Sequence, residues 1–120
     1  MQKLLTRSNN PEESLDKQLD EKVFAIISVL ISAMEDKDPY TSGHTARVAQ
    51  YSLAIGKRLC LPKEKMRLLN HAAAAHDIGK IGIPIEIIEK NGNLSETEKL
   101  LLESHPIRGM KILSTLDNIF

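Results

Sequence analysis

Apolar residues recur every three or four positions through most of this chain, and this spacing is what most constrains its fold. It places apolar side chains along one face of an α-helix, whereas a half-buried strand would need strict alternation, which no segment has. No internal repeat is present either. We therefore predict an all-α domain, a bundle of about five helices.

The first helix is predicted over residues 15–36. Its end is indicated by Pro39, because proline disfavours helical geometry in the residue before it. The apolar pattern lasts for only about two heptads, too few for a coiled-coil prediction, so packing against its own domain is favoured and a homodimer through residues 15–36 is the alternative. The inward stripe would consist of Leu15, Leu19, Val23, Ile26, Leu30 and Ala33.

The chain is organised as a leader followed by one domain. Residues 1–14 mix Ser, Asn, Pro and charged residues without periodicity, so we expect a flexible leader or linker there. Residues 15–120 would form the domain, since a chain of this size buries about two thirds of its unfolded surface.

The second and third helices lead to the most polar motif of the chain. Thr41 or Ser42 is expected to cap a helix that runs to about Leu59, and Pro62 fits the first position of the next helix. The inner stripe of that third helix leads directly to His76. The inward residues of the second helix would be Val48, Tyr51, Ile55 and Leu59.

Two shorter helices are predicted after the motif. Gly79, Gly82 and Pro84 should end the regular structure. Ser95 and Glu98 then match a capping box, in which each side chain accepts a hydrogen bond from a free amide at the start of a helix. The last helix, over about 107–116, would bury Ile107, Met110, Leu113 and Leu116.

Composition excludes several classes of function. Sixteen basic residues balance sixteen acidic ones, so the chain lacks the broad positive field on which binding to a nucleic-acid polymer depends. The most apolar run, over residues 23–34, is shorter than the roughly 20 residues that span a bilayer, so we expect no membrane association. Cys60 is the single cysteine, which indicates a reducing, cytoplasmic compartment and a small buried apolar side chain.

The segment His76-Asp77-Ile78-Gly79-Lys80 carries the chemistry. An imidazole next to a carboxylate suits a mixed nitrogen and oxygen metal site, although the pair fits a buried, carboxylate-bound histidine equally well. Gly79 lets the backbone pass close to a ligand, and Lys80 can hold a phosphate oxygen. His44 and His105 can approach this pair only through folding.

Three motifs resemble one family. The motif H-D-I-G-K-I-G-I-P of residues 76–84 resembles the HD superfamily of metal-dependent phosphohydrolases, and within it the HD-GYP branch, whose members hydrolyse cyclic di-GMP. Residues 38–48 are similar to that family's opening motif, and residues 94–98 with 105–109 are similar to its next block. The resemblance covers about residues 23–120 and implies an HD-domain-type helical bundle.

The resemblance also implies roles for individual residues. Asp77 would bridge two divalent metal ions, with Fe or Mn favoured, and Lys80 would contact the scissile phosphate of a cyclic dinucleotide. Tyr40 stands where some members carry a glutamate for a third metal, which favours two ions. His71 matches no ligand position, so we expect it in packing or on the surface. The implied metal ligands are His44, His76, Asp77 and His105.

The resemblance further implies that the site is incomplete in this chain. Family members continue, after the position equivalent to Phe120, to a tandem histidine pair, a Gly-Tyr-Pro motif and a final metal-ligating aspartate. Residues 15–120 are therefore expected to be the N-terminal portion of a domain, with roughly half of the ligands of a two-metal site. Asp117 follows His105 too closely to be a good substitute. The isolated chain is thus expected to bind one ion weakly and to be a poor catalyst.

Two further interpretations stay open. A non-catalytic signalling module could keep the fold and use residues 15–36 as a coupling or dimer surface. A minimal HD hydrolase acting on nucleotides would need a late aspartate such as Asp117 or one from a partner chain. The role of Arg47 is also open, since an ion pair with Glu35, Asp36 or Asp38 would explain it as well as a motif role does.

Overall fold

The computed structural model describes residues 11–36 and 41–118. Within these residues the chain is all-α, as predicted, and contains no strand. Residues 1–10 and 37–40 lie outside the described part. They include most of the predicted leader, Asp38 and Tyr40, so the expectation for Tyr40 stays a prediction. The helices are α1 (Pro11–Glu35), α2 (His44–Arg58), α3 (Lys63–Ala75), the single turn α4 (Ile85–Ile88), α5 (Glu96–Glu103) and α6 (His105–Ser114), with 3-10 segments at Ile78–Gly82 and Thr115–Asn118.

The helices pack in two groups. Helix α3 lies against both α1 and α2, and α6 lies against the 3-10 segment that follows α3. Contacts between α1 and α3 include an ion pair and a ring stack: Arg67 is 3.2 Å from the Asp20 carboxylate, and the His71 ring stacks on Phe24 at 4.4 Å between ring centroids. The Asp20 hydrogen bond raises the pKa of Arg67, which keeps its charge in any case. His71 is therefore a packing residue, as expected.

The predicted inward stripe of α1 is wrong. Leu15 and Ile26 are 64% and 61% exposed, whereas Ile31 is only 3% exposed and lies on the packed face. Residues 23–34 are apolar on nearly all sides of the helix, so periodicity alone could not select the face that α3 covers. The helix also begins at Pro11, earlier than its predicted start at residue 15.

The inward faces predicted for α2 and α6 are only partly correct, for a different reason. Val48, Leu113 and Leu116 are half-buried, as predicted. Tyr51, Ile55 and Leu59 on α2, and Ile107 and Met110 on α6, are exposed. The packed faces contain glycines instead, and Gly56 and Gly109 are both buried. A Cβ atom at Gly56 would lie 2.7 Å from the Met66 sulfur. Helices α2 and α3 therefore come close to each other at a position of α2 that has no side chain. A search for large apolar residues overlooks such a face.

Cys60 is exposed, contrary to the prediction, and adopts a left-handed conformation with φ of 54°. It follows the last turn of α2, where its amide donates to the Lys57 carbonyl (3.0 Å) and the Leu61 amide donates to the Gly56 carbonyl (3.0 Å). This pair of hydrogen bonds is a Schellman motif, which normally places glycine in the left-handed position.

The capping box of α5 is confirmed. The Glu98 amide donates to the Ser95 hydroxyl (3.2 Å), and the Ser95 amide donates to the Glu98 carboxylate (2.8 Å). The Lys90 ammonium also donates to that carboxylate (2.6 Å), and mainly for this reason the pKa of Glu98 lies below its ordinary value. Because the folded pKa is the lower one, the stabilisation is present above the unfolded pKa and is lost as the pH falls through the folded pKa.

None of the helices in the described residues has the length and apolar character that a bilayer span requires.

The left-handed conformation of Cys60 generates a prediction. Cys60→Gly is expected to stabilise the chain by about 1 kcal/mol, because glycine adopts this conformation without the steric cost that a Cβ atom imposes. Urea denaturation under reducing conditions measures the change. Cys60→Ser is the matched control, since it removes the thiol but keeps the Cβ atom; an equal gain in this variant would contradict the steric explanation.

The capping box generates a second prediction. Ser95→Ala is expected to destabilise the chain by about 1 kcal/mol, since the Glu98 amide would lose its side-chain acceptor. The free energy of unfolding at neutral pH measures the loss. Lys99→Ala, on the exposed face of the same helix, should be nearly neutral, and a similar loss there would show that the effect is not specific to the capping box.

Candidate metal centre

The centre is built around Asp77, at the point where α3 gives way to the 3-10 segment Ile78–Gly82. His76 still has helical geometry, while Asp77 has φ of −103° and ψ of 5°. This change of backbone geometry lets consecutive side chains converge, so that His76 Nε2 lies 3.2 Å from Asp77 Oδ2. The Asp77 side chain is only 13% exposed, which makes it the most enclosed group of the cluster. The 3-10 segment ends at Gly82, one of the three residues predicted to end the regular structure, and Pro84 precedes the single turn α4.

His44 reaches the same carboxylate from the first turn of α2. Its Nε2 atom is 3.6 Å from Asp77 Oδ2, and its ring centroid is 5.4 Å from that of His76. Ala73 and Ala74 are both buried on α3. Helices α2 and α3 pack against each other, and this brings His44 within reach of Asp77.

His105 approaches from the opposite side, at the start of α6. Its Nε2 atom lies 3.2 Å from Asp77 Oδ1, whereas the other two histidines face Oδ2. The carboxylate therefore has imidazole nitrogens on both of its oxygens. A carboxylate that uses its two oxygens in this way can bridge two ions.

Two of the three imidazoles are oriented by backbone carbonyls. His76 Nδ1 lies 2.6 Å from the Ala73 carbonyl oxygen, and His105 Nδ1 lies 2.8 Å from that of Leu102. A proton on Nδ1 donates to the carbonyl in each case, which leaves the Nε2 lone pair directed at Asp77. Both carbonyls belong to the residue three positions earlier. Neither carbonyl was predicted from the sequence, although this spacing on a helix could have suggested both.

Lys80 lies beside the same carboxylate. Its ammonium nitrogen is 3.0 Å from Asp77 Oδ2, and the three-residue separation puts both side chains on one edge of the 3-10 turn. An ammonium group has three donors, so contact with Asp77 leaves others for a neighbouring anion. The cation expected from the sequence is thus next to the cluster.

Gly79 makes a backbone contact that was not predicted from the sequence. A Cβ atom there would lie 1.8 Å from the His105 carbonyl oxygen and 2.6 Å from the Gly109 amide nitrogen. A glycine is required here because two backbone segments meet, and the predicted close passage of the backbone past a ligand stays a prediction. This contact seats the start of α6, and with it His105, against the Asp77 segment.

The start of α2 is capped differently from the prediction. The N-cap residue is Gly43, with φ of 73°, and neither Thr41 nor Ser42 occupies that position. The Thr45 amide instead donates to the Glu35 carboxylate at the end of α1 (2.8 Å). Arg47, whose partner was left open, donates to the Ser42 carbonyl oxygen (3.3 Å). Glu35 was missed as a cap because helix-capping patterns are local, whereas this one bridges two helices.

The donor set fits a divalent metal. Two ligand atoms that each lie about 2.1 Å from one ion are roughly 3.0–3.4 Å apart at tetrahedral or octahedral angles. The nitrogen–oxygen separations of 3.2, 3.2 and 3.6 Å around Asp77 are close to this range. Donor atoms of His44, His76 and Asp77 also lie within 4.8 Å of one another. Neutral imidazoles with a carboxylate suit Mn, Fe or Zn.

Asp117 lies elsewhere. It lines a groove of about 780 Å³ between α1, α3 and residues 113–117, together with Asp16, Leu19 and Leu116. This position does not support the interpretation in which a minimal hydrolase uses Asp117 as a metal ligand.

The contact at Gly79 generates a prediction. Gly79→Ala is expected to destabilise the chain by roughly 1–3 kcal/mol and to weaken Mn²⁺ binding, because the added methyl would push α6 and His105 away from Asp77. Urea denaturation and metal titration measure the two effects. Gly82→Ala is the matched control, since its Cβ atom would approach only the flexible Arg108 side chain, at 3.2 Å. Equal effects in the two variants would contradict the argument.

Comparison with known proteins points to one family. Residues 28–119 match the family model described as HD domain. The chain is 33% identical over 103 residues to the cyclic di-GMP phosphodiesterase response regulator RpfG of Xanthomonas campestris pv. campestris, a match that covers 86% of this chain and 27% of that protein.

Two other relatives match similar shares of this chain. The 3'3'-cGAMP-specific phosphodiesterase 3 of Vibrio cholerae is 35% identical over 91 residues, covering 76% of this chain and 20% of that protein. The cyclic di-GMP phosphodiesterase of Thermotoga maritima is 32% identical over 102 residues, covering 85% and 28%. The chain thus spans between a fifth and somewhat more than a quarter of the length of these relatives. From the family match and these relatives, the chain belongs to the HD domain family, in its HD-GYP branch.

Proposed function

We propose that this chain forms part of a metal-dependent phosphodiesterase centre that acts on a cyclic dinucleotide, with cyclic di-GMP as the first candidate. The observation that carries the proposal is the convergence of three imidazole nitrogens and one ammonium group on the two oxygens of Asp77. The relatives named above are phosphodiesterases of cyclic di-GMP or 3'3'-cGAMP, which supports this class of substrate.

In this proposal His44, His76, Asp77 and His105 hold divalent ions. The two oxygens of Asp77 face different histidines, which supports a bridging role between two ions. These four side chains are enough for one ion, whereas a second would need further ligands. Fe and Mn fit the mixed nitrogen and oxygen donors, and we favour these two metals because of the resemblance to the HD-GYP branch.

The chain's own residues would bind and orient the substrate phosphate. When bound, the metal ions supply positive charge that stabilises the phosphoryl oxygens and activates a water molecule. Lys80 would donate to a phosphoryl oxygen and stabilise the charge that develops on it. The carbonyls of Ala73 and Leu102 would keep His76 and His105 in the tautomer that presents Nε2.

We also propose a cytoplasmic location. Cys60 is exposed, is the single cysteine of the chain and has no disulfide partner within it, which suits a reducing compartment.

The metal centre is tested by replacing its central ligand. Asp77→Ala is expected to lower Mn²⁺ affinity by at least tenfold and to abolish any release of linear dinucleotide from cyclic di-GMP, since every proposed ligand faces this carboxylate. Isothermal titration and product chromatography measure the two effects. His71→Ala, at a histidine that packs on Phe24, should keep the metal affinity of the wild type. Wild-type affinity in Asp77→Ala would refute the proposal.

Lys80 is tested separately from the metal. Lys80→Met should reduce turnover by roughly 10²-fold or more while Mn²⁺ still binds, because it removes a stabilising donor but no metal ligand. A variant that loses the metal instead would show that Lys80 supports the ligands rather than the phosphate.

A non-catalytic role as an interaction module is the second candidate, and one observation favours it. The outer face of α1 carries Leu15, Ile26 and Val29, all exposed, and they share one row with Lys22 and Ala33 at the alternating four- and three-residue spacing of a coiled-coil seam. Leu19 falls in the same row but at its edge, since it is 40% exposed and also lines the groove beside α3. Helix α1 is thus apolar on its outer face as well as on the face that α3 covers. A second copy of the chain, which carries the same seam, is the partner we propose.

Sedimentation equilibrium tests this homodimer. The wild-type chain is expected to dimerise, and Ile26→Glu is expected to be monomeric because a carboxylate would be buried in the seam. Leu100→Glu, at an equally exposed leucine of α5, should still dimerise. A monomeric wild-type chain would refute the dimer without affecting the metal centre.

A further inference from the structure

The first turn of α2 depends on a residue of another helix. The first amides of any α-helix have no partner within it, and a side chain at the N-cap commonly accepts from one of them. Here the N-cap is Gly43, which has no side chain to offer. The Thr45 amide is satisfied instead by the carboxylate of Glu35, at 2.8 Å.

This hydrogen bond is well placed to be strong. Glu35 and Thr45 are both partly buried, and the acceptor is ionised, so the bond is less weakened by water than one on the surface. A carboxylate at the start of a helix also interacts favourably with the helix dipole. The Thr45 hydroxyl is buried and has no hydrogen-bond partner among the described residues. It therefore accepts no hydrogen bond from the amides at the start of α2, and it does not take the place of the Glu35 carboxylate.

His44 immediately precedes Thr45, and its ring has less support than the other two. His76 and His105 are each held through Nδ1 by a backbone carbonyl. Within the part of the chain that is described, the His44 ring makes no such hydrogen bond, its side chain is 41% exposed, and its nitrogen is the most distant of the three from Asp77, at 3.6 Å. The position of His44 is therefore set mainly by the backbone of the first turn of α2.

We propose that Glu35 is a positioning residue for the metal centre. Its carboxylate holds the first turn of α2 so that His44 presents Nε2 to the Asp77 carboxylate. Because Glu35 is the last residue of α1, this contact links the long N-terminal helix to a metal ligand. The inference rests on the proposed metal centre, and it adds a residue that touches neither the metal nor the substrate.

The experiment compares Mn²⁺ affinity in three forms of the full chain. Glu35→Ala is expected to bind Mn²⁺ about tenfold more weakly than the wild type, as is usual when a ligand loses its supporting contact. Glu35→Gln keeps an acceptor oxygen at the same distance and should restore most of the affinity. Glu21→Ala, at an exposed glutamate of the same helix, is the matched control and should bind as the wild type does.

Amide hydrogen exchange in the metal-free chain provides an independent readout. The Thr45 amide should exchange faster in Glu35→Ala than in the wild type or in Glu35→Gln, while amides in the middle of α2 should be unchanged. If Glu35→Ala does not fold, Glu35→Asp replaces it, because a carboxylate shortened by one methylene should lose the same contact and show the same two effects.

Two results would overturn the inference. One is wild-type Mn²⁺ affinity in folded Glu35→Ala or Glu35→Asp, and the other is a loss of affinity in Glu35→Gln as large as in Glu35→Ala. A wild-type chain that binds no Mn²⁺ would instead refute the metal centre, and exchange at Thr45 would still show whether Glu35 holds the start of α2.

Discussion

The candidate centre depends on a contact between two backbones. Gly79 lies so close to the His105 carbonyl and the Gly109 amide that no side chain fits between them. This contact joins the segment after α3 to the start of α6, and it thereby brings a histidine distant in sequence to the carboxylate of Asp77. Contacts between packed backbones have few alternative arrangements, so the ligand geometry follows from the fold rather than from flexible side chains.

Each histidine reaches Asp77 by a different structural means. His76 is brought there by the change from α to 3-10 geometry, His105 by the glycine contact, and His44 by the first turn of α2. The first two rings are also fixed by hydrogen bonds to carbonyls within their own chain segment. His44 depends on Glu35 instead, so the arrangement of α1 bears on the metal centre as well as on the surface that α1 exposes.

The exposed apolar residues have a pattern of their own. On α2 and α6 they lie outside the close contacts made by the glycines, and on α1 they form a second row apart from the packed one. The molecule measures 69 × 35 × 23 Å, and its radius of gyration of 18.3 Å exceeds the value of about 13–14 Å expected for a compact chain of this length. Such a shape leaves apolar faces available to a partner, which agrees with the proposal of a second copy on α1.

The sequence by itself determined the all-α class, the order of the helices, the capping box at Ser95 and the family motifs, because these depend on local spacing and residue type. It also marked the four residues that meet at the centre. Only the tertiary structure decided which helix faces are buried, since residues 23–34 of α1 are apolar on nearly all sides and the close contacts of α2 and α6 use glycine. The cap on α2 was likewise decided there, because Glu35 and Thr45 belong to different helices and no local pattern joins them.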